Sequence, residues 1–198
     1  MNLRQRIDDL FEDHLTNTHR VMDVVSPGIA MAAEYMVSTL VNDAKIVTCG
    51  NGSAALAAEL LSYSLIARLQ RERPGLPVLN LSSNHMMISG IDKDFAAGMA
   101  IDRQIRTLAQ AGDILIAYTP DGACHNIYQA INAARDKGMM VVAITGKDGG
   151  MIGQMLMEPE LEIRIPSNSP PRVLEIQTLI THCLVDLVEN LLFGAEYY

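Results

Sequence analysis

Three stretches of this sequence carry residue types able to hold an anion: Gly50-Asn51-Gly52-Ser53, Thr119-Pro120-Asp121-Gly122-Ala123-Cys124 and Thr145-Gly146-Lys147-Asp148-Gly149-Gly150. In the first, the glycines permit a tight turn with positive φ, Asn51 and Ser53 offer side-chain hydrogen bonds, and Ser53 stands where it would cap a following helix. Backbone N–H groups at such a helix start can hold a phosphate. The same residues also suit a plain strand-to-helix turn, and one loop of this kind does not decide between the two. The second stretch has one hydroxyl, Thr119, and its Asp121 repels a phosphate unless another group offsets the charge. The third lacks the glycine and lysine spacing of a P-loop and reads as a surface turn. No base is placed for Cys124 by sequence, so it reads as a packing residue rather than a nucleophile. The pairs Met86, Met87 and Met139, Met140 read as core filling.

The elements that must position these loops follow from periodicity. Leu3, Ile7, Leu10, Phe11 and Leu15 recur at helical spacing, and after Pro27 so do Ile29, Ala33, Met36 and Leu40, which predicts two N-terminal helices. Five short apolar runs follow, at 45–49, 77–81, 114–118, 140–145 and 161–165, with helical stretches among them at 54–69, 99–109, 126–137 and 172–192. Strand and helix alternating in this way, with strands apolar on both faces, predict an α/β fold: a parallel five-stranded sheet between helical layers. Ligands in such sheets bind beyond the carboxyl ends of the strands, where strand order reverses. That places the useful residues in the loops after Cys49, Leu81, Tyr118 and Thr145.

Bulk properties narrow the function. With 198 residues, 49% hydrophobic and 19% charged, the chain can bury a large core as one domain, 1–198, without a metal or a disulfide. A net charge of −8 opposes direct nucleic-acid binding, which needs a basic face. Cys49, Cys124 and Cys183 form no CxxC pair, which suits reduced thiols in a cytoplasm. No uninterrupted apolar run reaches the roughly 18 residues of a spanning helix, so neither export nor a membrane anchor is expected.

Six motifs in one order, CGNGS, RERPGLP, QAGDILIA, AITGKDGG, EIRIPS and RVLEIQTLITHCLVDLVENLLF, resemble the sugar isomerase (SIS) domain family. Within it they are similar to the branch containing phosphoheptose isomerase and the DnaA initiator-associating protein (DiaA). The resemblance runs from about Asn2 to Phe193. It implies a three-layer α/β/α sandwich, phosphosugar binding, and homotetramers built through the N-terminal helical pair, 1–43, and the C-terminal helix that ends the α/β core at 44–198. Residue by residue, it assigns phosphosugar contacts to Asn51, Gly52, Ser53, Arg68, Asp94, Thr119 and Gly122.

Zinc is the family's metal, held by a histidine and a glutamate on the first core helix and a glutamine and a histidine on the last. Ungapped alignment places Leu60, Ser64, Leu174 and His182 there. Leucine cannot coordinate zinc and serine is neither a usual ligand nor an adequate base, so no metal is expected. His182 then reads as a buried, hydrogen-bonded helix residue or as a catalytic remnant. A one-residue gap would instead bring Glu59, Ser53 and Tyr63 to family positions, but the continuous register through Arg68 to Pro77 opposes it. The family's STSGNS loop becomes Thr119–Cys124, with one hydroxyl left, one amide lost to proline and a charge added. These departures lead to the expectation of a noncatalytic protein that binds DnaA through Leu192 and Phe193 in the apolar tail "VENLLFGAEYY", with phosphoheptose isomerase and a phosphosugar-responsive scaffold as alternatives.

Overall fold

In the structure, a computed structural model that describes residues 1–194, one helix of 39 residues, α1 (Leu3–Val41), stands where two are predicted. Its start is fixed by Asn2, whose Oδ1 accepts the N–H groups of Arg4 and Gln5. Pro27 lies inside the helix and removes the N–H that would bond the carbonyl of Asp23, a loss of about 3 kcal/mol. Two features carry the helix across this point. Ser26 Oγ donates to the Met22 carbonyl at 2.6 Å, and Val21, Val25, Ile29, Ala32, Ala33 and Met36 are buried on both sides of the proline. Each large buried aliphatic contributes about 1.5–3 kcal/mol, so packing outweighs the lost bond. Leu3, Ile7, Leu10, Phe11 and Leu15 remain exposed, and the buried residues of α1 begin only at Val21.

The chain then alternates through β1 (Ile46–Gly50), α2 (Ala55–Ile66), β2 (Val78–Asn80), α3 (His85–Asp94), α4 (Ala100–Leu108), β3 (Ile114–Tyr118), α5 (His125–Asp136), β4 (Met140–Gly146), α6 (Gly150–Met155), β5 (Leu161–Ile165) and α7 (Pro170–Phe193). All strand pairs are parallel, in the order β2-β1-β3-β4-β5. Strand order reverses between β1 and β3, so the crevice for a ligand opens beyond Gly50 and Tyr118. α1, α2 and α7 bury one face of the sheet, while α4, α5 and α6 bury the other. This is the expected three-layer sandwich.

Two local expectations are corrected. α3 falls in the long connection after β2, where its weak apolar content gave no periodic signal, and Met86 and Met87 sit exposed on it rather than in the core. Only Met139 of the four methionines is buried. By length and composition α1 and α7 would suffice to cross a bilayer. Yet α7 buries Arg172, Gln177, Thr181 and Glu189 among internal partners, which is the arrangement of a core helix.

Candidate active site

At the reversal point a cleft of about 230 Å³ is lined by Asn51, Gly52, Ser82, Asp92, Gly98 and Asn126 among others. The first strand delivers its loop here because Gly50 turns tightly: a Cβ on it would lie 2.6 Å from the Ala54 carbonyl oxygen. Gly52 takes φ +56°, as the glycine spacing predicts. Ser82 Oγ accepts the Gly50 N–H and donates to the Gly50 carbonyl, both at 2.9 Å, tying the end of β1 to the loop after β2. Across the cleft Asn51 Nδ2 donates to Asn126 Oδ1 at 2.6 Å. The loops after β1 and β3 are thereby joined. Asp92 accepts the Gly98 N–H on Oδ1 at 3.1 Å, and its Oδ2 has no partner among the described residues.

The loop after β3 is built differently from its sequence reading. Thr119 is fully buried and its hydroxyl is already used, accepting the Gly122 N–H and donating to Cys124 Sγ. Its carbonyl accepts Gln177 Nε2 from α7 at 2.9 Å. Gly122, at φ +71°, packs directly on the backbone of Gly149 and Gly150, so the loops after β3 and β4 form one unit. Asp121 does not stand as a free charge: Oδ1 accepts the Ala123 N–H at 3.1 Å and Oδ2 pairs with Lys147 at 3.2 Å. The Ala123 N–H, and then Lys147, hold its carboxyl below the usual carboxylate range. Past this point α5 begins, and the N–H groups of Cys124, His125 and Asn126 have no acceptor among the described residues. Three free donors at the positive end of a 12-residue helix suit an anion.

Burial raises the Cys124 thiol, and the neighbouring Asp121 adds to the rise, so the protonated form dominates at neutral pH. Cys49, buried in β1, is pushed up to about 12. Neither is a thiolate nucleophile.

The predicted site residues do not all converge. Asn51 and Gly52 line the cleft, and Thr119 and Gly122 shape the loop beside it. Ser53 is exposed and makes no capping bond, because the chain enters α2 through a short 3₁₀ turn, Gly52–Ala54, instead of a capped start. Arg68, beyond the end of α2, and Asp94, the last residue of α3, are exposed and outside the cleft lining. Sequence reasoning missed Ser82, Asp92 and Asn126, and it read Lys147 as part of a surface turn. Asn126 was within reach as a polar residue in the first turn of a helix predicted to follow β3.

At the positions that the resemblance assigns to zinc, Leu60 and Leu174 are half-buried, Ser64 is buried, and half-buried His182 makes no hydrogen bond among the described residues. No group of three or more His, Cys, Asp or Glu is placed to hold a metal among those residues. One imidazole with two leucines and a serine does not fit zinc. Leu192 packs on the hydrophobic core, and Phe193 lies under Arg71, whose guanidinium stands 5.6 Å from the ring centroid and donates to the Phe193 carbonyl. The rest of the predicted partner-binding tail, residues 195–198, lies outside the described residues. A larger cleft of about 600 Å³ sits at the opposite end of the sheet, but its charged residues, Arg135 and Glu160, satisfy each other.

Residues 11–146 match the SIS domain. The phosphoheptose isomerase of Chromohalobacter salexigens is 39% identical over 195 residues, covering 98% of this chain and 99% of that protein. That of Halorhodospira halophila is 37% identical over 194 residues, covering 98% of each. The solved phosphoheptose isomerase of Francisella tularensis superposes with a TM-score of 0.92 at 32% identity, over 96% of this chain and all of that one. Such likeness along nearly the whole chain corrects the expectation of a noncatalytic, initiator-binding protein and removes the ground on which DnaA was assigned as partner.

Proposed function

We propose, for a chain that belongs to the SIS domain family, an isomerase acting on a phosphorylated heptose, the class of reaction named for its relatives. The observation that carries this reading is the cleft between β1 and β3, where Asn126, whose N–H at the start of α5 has no acceptor among the described residues, lines the wall with Asn51, Ser82 and the Asp92 carboxylate. The phosphate occupies the start of α5. The hydroxyl groups of the sugar meet Asn51, Asn126 and Ser82. Interconversion of a ketose and an aldose proceeds through an enediol, so a base must take the proton beside the carbonyl and return it to the neighbouring carbon, while the carbonyl oxygen gains a proton and the adjacent hydroxyl loses one. Asp92 is the carboxylate in this cleft with an unpartnered oxygen and takes that role.

Zinc does not fit Leu60, Ser64, Leu174 and His182, and no step is assigned to it. The protein works in the cytoplasm as a single domain, 1–198, and assembles as a homotetramer through the apolar amino half of α1.

Turnover of sedoheptulose 7-phosphate by full-length protein tests this. The expected result is aldose phosphate formation that survives a chelator and falls by about 10²–10⁴-fold in Asp92→Asn. Absence of turnover with and without added zinc would remove the isomerase reading. Turnover abolished by chelator and restored by zinc would overturn its metal-free form, and an unaffected Asp92→Asn would take the base role from Asp92.

A further inference from the structure

We propose that Lys147 and Asp121 form a charge-balancing pair that sets the affinity of the α5 start for a phosphate dianion, with Lys147 as the determinant of binding. This rests on the reading that the phosphate of the substrate sits at that helix start. Asp121 is only three residues ahead of the first free N–H, that of Cys124, and an uncompensated carboxylate so close opposes a dianion. Lys147 Nζ lies 3.2 Å from Asp121 Oδ2. An ammonium group carries three donors, so two remain for an incoming anion.

The backbone of Lys147 is held by the fold. It takes φ +54°, an uncommon left-handed conformation for a residue with a side chain, and its N–H bonds the Ser167 carbonyl at 3.3 Å. Gly122 lies against the backbone of Gly149 and Gly150, and its carbonyl accepts the Ile152 N–H at 3.1 Å. The loop carrying Lys147 therefore cannot move away from the loop carrying Asp121 without breaking this contact. Asp121 in turn spends Oδ1 on Ala123, which fixes the turn into α5. A lysine beside the carboxylate of the loop that leads into α5 acts through its charge, while the neighbouring Asp148 is engaged by the Gly150 N–H. With Lys147 the pair is neutral, and without it the loop carries a net negative charge.

Calorimetric titration of full-length protein with sedoheptulose 7-phosphate and, separately, with inorganic phosphate tests the pair. Lys147→Met should weaken both at least tenfold, and Lys147→Arg should stay within about threefold of the parent. Asp121→Asn keeps an acceptor for Ala123 while removing the charge, so it should bind several-fold more tightly. Added to Lys147→Met, it should recover most of the loss. A merely structural lysine would give no such recovery. Lys147→Met binding within twofold of the parent, or no recovery in the double variant, would overturn the proposal while parent binding leaves the functional reading standing. Should Lys147→Met fail to fold, Asp121→Asn alone decides, since unchanged or weaker binding sinks the idea. A parent protein that binds neither ligand would overturn both readings together.

Discussion

At Glu160 burial and pairing act against each other. Burial pushes its carboxyl up, but bonds from Arg135 Nε at 2.6 Å and Nη2 at 2.5 Å, with the Met157 N–H, more than offset this, and the net shift is downward. A depressed carboxylate contributes stability at pH values above its unfolded pKa, about 4.3, and that contribution is lost as pH falls through the folded value. Glu160→Gln should therefore be less stable than the parent at pH 7, with the gap closing on acidification below about pH 4.3. Denaturant unfolding at a series of pH values checks this, and parallel curves would show that the pair carries no linkage. The pairings of Glu160 and Asp121 were invisible in sequence, because Arg135 lies 25 positions from Glu160 and Lys147 lies 26 from Asp121. Composition showed that Asp121 needed an offset. Only the fold showed what supplies it.

Among elements, the contact of α2 with α7 has the most at stake. Arg73, from the loop after α2, donates to the Ser64 and Leu65 carbonyls near the end of that helix and pairs with Glu189 of α7, with side-chain exposures of 1% and 7%. One guanidinium thus satisfies two terminal carbonyls of α2 and a buried carboxylate. Removing it strands Glu189, so Arg73→Ala should cost about 3–5 kcal/mol, measurable by chemical denaturation. A loss below 1 kcal/mol would mean that water or another group takes over. A second tie runs through α7 itself: Thr181 donates to the Gln177 carbonyl, so Tyr118 donates to Thr181, and Gln177 holds Thr119 and Ile144. The sequence located α2 and α7 to within a few residues, α2 as an alanine-rich apolar stretch too long for a strand and α7 through apolar positions at helical spacing. It misplaced the break at Pro27, because local backbone preference predicts a stop that burial on both sides of the proline overrides.

For the whole molecule, the amino half of α1 presents Phe11 and Leu15 at 68% and 57% exposure beside Leu3 and Ile7, an apolar stripe that a second copy would cover. Phe11→Asp combined with Leu15→Asp should convert the proposed tetramer to smaller species in sedimentation velocity while leaving the far-UV spectrum unchanged. A monomeric parent protein would refute the assembly. The sequence by itself determined the layered α/β class and all five strands, because alternation of apolar runs and helical stretches is a local property of the chain, whereas the strand order that puts the reversal between β1 and β3 came from the fold. It also raised the expectation that no zinc is held at Leu60, Ser64 and Leu174, because ligand chemistry belongs to the residue type. Tertiary structure alone decided which polar groups meet. Asp92, Ser82 and Asn126 converge with Asn51 from four separate segments, while Ser53, Arg68 and Asp94 fall away from the cleft. It also neutralised Asp121 through Lys147. Such convergence depends on how loops from distant strands pack on one another, a relation between positions far apart in sequence that no local periodicity records.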